Sequence, residues 1–412
     1  MFRSRRTRLL IIVLLAAASA VIPVSTPRSR STSQGSGTTG SAARPAPTAA
    51  PSASQSLRDP DRYVNCVLGS DVNPGTRTAP VRTIHHALAT RLAPGDTVWL
   101  AKGCAWEGQV TVRGDGTAAR PITIAAYGTG AAPSITGSSL SMDRSVVQLT
   151  GSYQSMSGVR VSHGAGIGIS LNGGHDAVTD TEIADVGIGV RFRGRFGLAN
   201  TVNVHDLHMV VDTAGGDDDY GAVGYDVEAT DAEVSTSRCT NCRAPSHDFG
   251  YDGGFVEVWN HGDRLFVHDC TGDNTSGVLE IGGDAPDGSA RNVTLARDVF
   301  RSAHGGLWIH SGDHFSIAVS KLLLDRSSID DTSTADPQIL GGDLTNLTVR
   351  NSSLRTPGQV SWSGSPSSHG CNRYFVPSAA AIGFPVNGSE SVAGQNAPQA
   401  LGPASPTCGG PA

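Results

Sequence analysis

The stretch that decides the fold is GFVEVWNHGDRLFVHDCTGDNTSGVLEIGGDAPDGSARNVTL, residues 254–295. It alternates short runs of β-branched and aromatic residues with turns rich in Gly, Asp, Asn and Ser, as consecutive short strands do. Two of its turns carry Gly-Asp after an apolar run, at 262–263 and 283–284, and the pair returns at 312–313 and 342–343. The spacings of 21, 29 and 30 residues indicate a repeated unit.

A repeat of 20 to 30 residues built from short strands indicates a solenoid, in which each coil buries its inward side chains against its neighbours. Asn292-Val293-Thr294-Leu295 and Asn346-Leu347-Thr348-Val349 are near-copies of one strand. Leucine-rich repeats need a regular Leu/Asn spacing that is missing, and propeller blades need about 40 to 50 residues. The sequence therefore predicts an all-β chain, a parallel β-helix of roughly ten coils, with an antiparallel sandwich as the alternative.

One segment departs from the strand pattern. Thr83-Ile84-His85-His86-Ala87-Leu88-Ala89 is helix-like and precedes the strand Thr97-Val98-Trp99-Leu100. Because a solenoid exposes an apolar end, we expect this short helix to cap the N-terminal coil.

The first twenty residues have the organisation of an export signal. Arg3 and Arg5 begin a basic end, Leu9 to Ala17 is apolar, and Ala18-Ser19-Ala20 is an A-x-A cleavage site. The alternative is an uncleaved anchor, but Leu9 to Ile22 is shorter than the roughly 20 residues that a membrane span needs. We therefore expect a secreted protein with no stable membrane span after cleavage.

Composition divides the rest of the chain into three parts. Residues 21–57 are Ser-, Thr-, Pro- and Ala-rich and are predicted to be a flexible linker. Residues 58–355 are predicted to form the β-helix with its cap, and residues 356–412 a loosely structured tail. A net charge of −6 gives no electrostatic reason to expect a nucleic-acid partner. We expect a monomer whose partner is an extracellular polysaccharide.

Seven cysteines fit an oxidising compartment. Cys66 and Cys104 bracket the first folded segment, and Cys239-x-x-Cys242 lies about 30 residues before Cys270. Cys-x-x-Cys is also found in metal and redox sites, but no second pair follows at zinc spacing. Structural disulfides are therefore favoured, with at least one cysteine left over.

Several N-terminal motifs resemble the opening of secreted right-handed parallel β-helix proteins of the pectate-lyase-like superfamily. The resemblance covers about Tyr63 to Ser353 and is carried by Tyr63-Val64, Gly69-Ser70-Asp71, Asn73-Pro74-Gly75-Thr76, Ala79-Pro80, Thr83-Ile84, Gly95-Asp96-Thr97-Val98 and Pro121-Ile122-Thr123-Ile124-Ala125-Ala126-Tyr127-Gly128. It implies a right-handed helix and export. That superfamily includes polysaccharide lyases, epimerases, glycoside hydrolases and binding proteins, so the function has to be argued from the site.

Three acidic residues are predicted to share one outer face of the helix. Alignment of the strands by their preceding Gly sends Glu257 and Glu280 outward on adjacent coils, with Asp226 one coil earlier. Like charges about 5 Å apart cost roughly 3 kcal/mol per pair at an effective dielectric of 20. Ca²⁺ bound by Asp226, Glu257 and Glu280 would offset this repulsion.

Two alternatives remain for this carboxylate column, which is Asp226, Glu257 and Glu280. In the first, one carboxyl group stays protonated beside its neighbour, which is the acid-and-base arrangement of a glycosidase. In the second, the column is a solvated polar face with no chemical role.

Side chains on the flanking strands extend the candidate site. Arg191 and Arg193 share one face of the preceding strand, where paired guanidinium groups suit carboxylate recognition, with ion pairing to nearby Asp as the alternative. His310 follows on the next strand, and Trp259 and Trp308 suit stacking on sugar rings or a place in the core. Two insertions, Val211 to Tyr220 and Ala244 to Gly253, should wall the same groove.

These residues support three functions. The first is a polysaccharide lyase that cleaves a uronate polymer by β-elimination, with Ca²⁺ on the column and Arg191, Arg193 or His310 transferring protons. The second is a hydrolase that uses Glu257 and Glu280. The third is a glycan-binding or wall-associated protein without catalysis.

Overall fold

The computed structural model describes residues 60–216, 218–310, 312, 314–334, 337–341, 346–360 and 366–398. The predicted signal peptide (1–20) and linker (21–57) lie outside the described residues. Parts of the Gly-Asp turns at 312–313 and 342–343 lie outside them as well. Among the described residues, no helix is long and apolar enough to cross a membrane.

Parallel strands form one long ladder along the molecule, which we call ladder 1. Its twelve strands are Asp61–Val64, Thr97–Ala101, Ile122–Tyr127, Gln154–Ser157, Ala177–Thr179, Leu198–Asn200, Glu233–Ser235, Phe266–His268, Thr294–Ala296, Leu323–Asp325, Thr348–Arg350 and Ser368–Gly370. Ten of these lie between residues 97 and 350. The predicted parallel β-helix of roughly ten coils is confirmed, and the antiparallel sandwich is excluded.

Two further parallel ladders complete the coils and share the long strands Arg160–Leu171 and Glu182–Phe192. Ladder 2 also contains Ala105–Glu107, Ser134–Thr136, Asn203–His205, Arg238–Cys242, Thr271–Thr275, Val299–Ala303, Ser328–Asp331, Ser353–Arg355, Arg373–Val376 and Ser391–Gly394. Ladder 3 also contains Val110–Val112, Ser145–Leu149, Val223–Val227, Gly254–Trp259, Leu279–Gly282, Leu307–Ile309 and Leu340–Gly341.

Several short elements lie outside the three ladders, in the segments that connect their strands. They are the antiparallel pairs Met209–Val211 with Tyr220–Gly221 and Ala244–Ser246 with Gly250–Asp252, the parallel pair Ser289–Arg291 with Ala318–Ser320, the α-helix Ile84–Ala87 and the 3₁₀ turn Ala379–Ala381. The predicted capping segment thus contains one helical turn, begun by the Thr83 side chain, which accepts the His86 N–H. Its role as a cap stays a prediction.

The coils continue beyond the predicted boundary at residue 355. Arg373–Val376 pairs with Ser353–Arg355, and Ser391–Gly394 adds a further strand. The predicted loose tail is therefore wrong for these residues. Tyr374 and Val376 are fully buried, so their side chains extend the core by another coil, which the short spacing of apolar residues had concealed.

Apolar side chains fill the interior because alternate residues of each short strand point inward. One column in ladder 1 runs through Val234, Val267, Leu295, Leu324 and Val349, all in register and all fully buried. Burying each such side chain contributes about 1.5–3 kcal/mol. Stacking of equivalent positions is therefore the main source of stability.

The structural disulfides that the sequence favours are present, and the structure supplies the pairing that the sequence left open. Cys66 is bonded to Cys104, and Cys239 to Cys242 inside a ladder 2 strand. Cys371 is also disulfide-bonded, and Cys270 is free and buried. The Cys-x-x-Cys pair is a structural bond, so the metal interpretation of that motif is excluded.

The corner between ladders 1 and 2 is a two-residue turn whose first residue has positive φ. Seven consecutive coils repeat it, with φ between 48° and 62°, at Asp180, Thr201, Thr236, Asp269, Arg297, Arg326 and Asn351. A left-handed backbone is uncommon for residues other than Gly, and here the stacked coils on either side impose it. The second turn residue points into the interior.

Polar side chains at this second position form a hydrogen-bonded column inside the protein. The Cys270 N–H donates to Asp298 Oδ1 at 2.9 Å, the Asp298 N–H to Ser327 Oγ at 3.1 Å, and the Ser327 N–H to Ser352 Oγ at 3.2 Å. Each side chain thus satisfies a buried N–H of the preceding coil. Burial raises the pKa of Asp298 well above its ordinary value, and its Oδ2 has no hydrogen-bond partner.

Asp298→Ser should raise the free energy of unfolding at pH 7. Ser327 and Ser352 hold equivalent positions, where Oγ also donates to the carbonyl two residues earlier. Because the folded pKa of Asp298 is raised, its contribution is fully present below about pH 4 and falls by about 1.4 kcal/mol per pH unit above that. Denaturant unfolding from pH 4 to 8 should show this slope in the native protein only.

Asp298→Asn is the matched variant, because it removes the ionisation and keeps an acceptor oxygen. Its unfolding free energy should likewise lose the slope. An equal slope in the native protein and both variants would show that the pH dependence comes from other groups and that folding does not raise the pKa of Asp298.

Candidate functional site

The carboxylate column lies on the outer face of ladder 3 in the register that the sequence predicts. Arg191 pairs with Asp226, Asp226 with Glu257, Glu257 with Glu280, and Glu280 with Trp308. Adjacent parallel strands are about 4.8 Å apart, so these five side chains form one continuous row. The row is less exposed than expected, since only 4% of Asp226 and 7% of Glu257 is accessible to solvent.

Arg191 neutralises the first carboxylate of the row. Its Nε lies 2.5 Å from Asp226 Oδ2 and 3.3 Å from Glu228 Oε1, and Arg193 Nε lies 2.9 Å from Glu228 Oε2. Burial alone would lower the pKa of Arg191, but the charges of Asp226 and Glu228 outweigh it and raise the pKa. The ion pairs that the sequence offered as the alternative for Arg191 and Arg193 are thus observed, and a role of either residue in proton transfer stays a prediction.

The predicted calcium ligands do not form a compact set. Asp226 is the partner of Arg191, so its charge is already compensated. Among the described residues, groups whose ligand atoms lie within 4.8 Å of one another occur elsewhere, at Asp212, Asp219 and His247 and at Asp218, Asp219 and Asp248. The column therefore does not fit a hard cation, which needs several converging oxygens.

Glu257 and Glu280 line a cleft that is open to solvent. Its lining includes pairs of small residues where the chain enters three successive ladder 3 strands, at 253–254, 276–277 and 305–306. A Cβ on Gly306 would lie 2.0 Å from the Ile339 carbonyl oxygen, so a side chain is excluded there. Gly306 is thus required by the close approach of the next coil.

His310 closes one side of the cleft and holds Glu280. Its Nε2 lies 3.0 Å from Glu280 Oε1, and its side chain is only 5% exposed. The ring occupies space that Gly282 leaves on the preceding coil, where a Cβ would lie 2.7 Å from His310 Cδ2. Phe315 packs edge-on against the ring, 5.9 Å between centroids. Glu280 therefore has a fixed orientation.

The two tryptophans separate in the structure. Trp308 lines the cleft next to Glu280, where it is available to a sugar ring. Trp259 packs instead against Phe315, with 5.3 Å between ring centroids. Alternation places both side chains outward, and packing by the following loop decides which one faces the cleft.

Two hairpins formed by the insertions dock on each other beside the cleft. Asp219 accepts from Ser246 Oγ and the Asp248 N–H, and Asp248 accepts from the N–H groups of Gly215 and Asp218. Burial would raise the pKa of Asp219, but these donors outweigh it and lower the pKa. The second hairpin contributes Phe249, Tyr251, Asp252 and Gly253 to the cleft. The first hairpin is hydrogen-bonded to the second through Asp219 and contributes no residue to the described lining of the cleft.

His304 is a cleft residue that the sequence reasoning missed. It follows directly after a ladder 2 strand and stands before Gly305-Gly306, at the corner where the chain enters ladder 3. The signal for it in the sequence is a histidine before two glycines at the start of a ladder 3 strand. An alignment of strand positions does not include this residue, because His304 lies in the turn between two strands.

No family model and no curated protein sequence matches the chain. Solved structures do match. A complex of XylC with xylose has a TM-score of 0.54 at 10% identity, covering 76% of this chain and 74% of that one. A rhamnogalacturonan lyase has a TM-score of 0.50 at 13% identity, covering 81% and 86%. Pectate lyase Pel9A has 0.46 at 13%, covering 80% and 78%.

The likeness is one of fold. This chain and the rhamnogalacturonan lyase share their overall fold over most of both chains, and the similarity shows nothing finer than the fold. Identities of 10–13% carry no residue roles across.

Arg191→Met should destabilise the protein by about 3 kcal/mol, because it leaves the largely buried carboxylates of Asp226 and Glu228 without their shared cation. Asp226→Asn combined with Arg191→Met should recover part of that loss. Unfolding free energies of the single and double variants measure the coupling. Additive losses would show that the pair does not interact.

Proposed function

We propose that the protein is a secreted carbohydrate-active enzyme that hydrolyses a glycosidic bond with Glu257 and Glu280. The observation that carries this is their pairing on adjacent parallel strands within one cleft. A strand spacing of about 4.8 Å is close to the 5–5.5 Å between carboxyl groups in retaining glycosidases. We therefore expect retention of the anomeric configuration.

Environment divides the two roles. Glu280 accepts a hydrogen bond from His310 and is the more exposed, with 27% of its side chain accessible, which suits a carboxylate nucleophile. Glu257 is 7% exposed, and burial favours the neutral form of a carboxyl, which suits the acid that protonates the leaving oxygen. After glycosyl transfer to Glu280, Glu257 would take a proton from the attacking water.

The elimination mechanism predicted from the sequence has less support. Removing the proton next to a uronate carboxylate requires a cation or proton donor at that carboxylate. Arg191 and Arg193 are both ion-paired, and the described residues lining the cleft include neither Arg nor Lys. A hydrolase places no such demand on the site. Glycan binding without catalysis remains the alternative if the two carboxyl groups prove dispensable.

Glu257→Gln and Glu280→Gln should each reduce hydrolysis by at least about 100-fold, the scale of losing a general acid or base. Tm should change little, because Gln has the shape of Glu and fills the same space. Reducing-end release from neutral and uronate-containing polysaccharides measures activity, and Glu107→Gln, an exposed position on ladder 2, is the control. Full activity in both variants would favour the binding protein instead.

Activity should survive a calcium chelator, because no step in this mechanism uses a metal. The same reactions, followed by ultraviolet absorbance of unsaturated products, separate the two chemistries. Chelator-sensitive appearance of an unsaturated sugar would replace hydrolysis by elimination.

A further inference from the structure

A chain of four side chains runs along the corner of ladder 2 and ends at the cleft. Asn241 Nδ2 donates to Asp206 Oδ1 at 2.6 Å, and Asn274 Nδ2 donates to Asn241 Oδ1 at 2.9 Å. His304 Nε2 lies 3.1 Å from Asn274 Oδ1. The four residues belong to four consecutive coils. His304 is the member that lines the cleft.

The carboxylate of Asp206 fixes the direction of every bond in this chain. A carboxylate only accepts, so Asn241 must offer its amide N–H, which leaves its carbonyl oxygen to accept from Asn274. Asn274 then presents its own carbonyl oxygen to the imidazole. His304 must therefore carry a proton on Nε2, and in the neutral ring Nδ1 is an acceptor.

The surroundings keep the ring of His304 neutral. Burial lowers its pKa, and the positive charge of Arg243 lowers it further. Arg243 stacks on the cleft residue Tyr251, with 3.4 Å between its guanidinium carbon and the ring centroid. Hydrogen bonds from Asn241 and His205 lower the pKa of Asp206, which keeps the far end of the chain an acceptor. The other titratable side chains on this cleft are Tyr251, Asp252, Glu257, Glu280 and His310.

We propose that Nδ1 of His304 accepts a hydrogen bond from a hydroxyl group of the glycan bound in the cleft. This deepens the proposed function, on which it rests for the identity of the ligand class. The side chains behind His304 are positioning residues, because they set its tautomer without reaching the cleft. A purely structural Asn column would need no histidine at its end. His304 thereby selects sugars with a hydroxyl donor at this point.

The tautomer is tested first, without any ligand. Long-range ¹H–¹⁵N spectra of the full chain should show His304 protonated on Nε2 at neutral pH. Asn274→Asp keeps an acceptor for Nε2 and adds a negative charge, so the ring should then titrate at higher pH. A ring protonated on Nδ1 in the native protein would overturn the proposal.

Binding is tested in the Glu257→Gln background, which should hold the glycan without cleaving it. The probes are xylo-, galacto- and galacturono-oligosaccharides, titrated by calorimetry from pH 5 to 8. His304→Gln retains an N–H donor near the Nε2 position and lacks the Nδ1 acceptor. It should weaken binding of the tightest probe about tenfold, the equivalent of one hydrogen bond. The background protein should lose affinity at low pH, because protonation of Nδ1 turns this acceptor into a donor, and His304→Gln should not show that loss.

His163→Gln is the matched control, because His163 is exposed and bonded to Asp185, away from the lining of the cleft. Its binding should equal that of the background protein. Unchanged affinity in His304→Gln, or a low-pH loss that persists, would overturn the role of His304 while leaving the hydrolase intact. If no probe binds the background protein, the proposed function itself fails. If His304→Gln does not fold, Asn274→Asp tests the proposal instead. Its added negative charge makes the ring of His304 titrate at higher pH, so the loss of affinity must begin at a higher pH than in the background protein.

Discussion

Every part of this molecule depends on the single spacing at which parallel strands stack. Because adjacent coils are held about 4.8 Å apart by backbone hydrogen bonds, each side chain lies beside its equivalent on the next coil. Inside, this produces continuous apolar columns such as the one through Val267 and Leu295. Outside, it forces like groups together unless a partner intervenes. The stability of the core and the chemistry of the outer face both follow from this step of about 4.8 Å between coils.

The residues on adjacent coils determine whether a carboxylate of the column has a structural or a chemical role. Asp226 lies between Arg191 and Glu257, and the ion pair with Arg191 makes it part of the scaffold. Glu257 and Glu280 are one and two coils farther along, and both line the cleft. The carboxylates of the cleft therefore begin one coil after the ion pair of Arg191 with Asp226.

Periodicity made the site strands predictable from the sequence. The glycines at 254 and 277 align Glu257 with Glu280, the spacing of Cys239 and Cys270 places Asp226 one coil earlier, and the observed register agrees at all three positions. The same alignment did not predict that Arg191 also pairs with Glu228, because Glu228 lies after the aligned strand core. The docking of the two hairpins depends on loop conformations that no repeat determines. The same holds for His304, whose significance depends on a chain of contacts across four coils.

The constant two-residue turn between ladders 1 and 2 restricts where a coil can gain or lose residues. From Gln154–Ser157 to Ser368–Gly370, each coil passes this corner with the same number of residues and keeps its hydrogen bonds to the next coil. Differences in coil length must then be absorbed at the other corners, as between His205 and Val223, where a hairpin is inserted. The corner that leads into the cleft is one of these. Loops that line the cleft can therefore be lengthened or exchanged at that corner, and different ligands accommodated, without changing the register of the stacked coils.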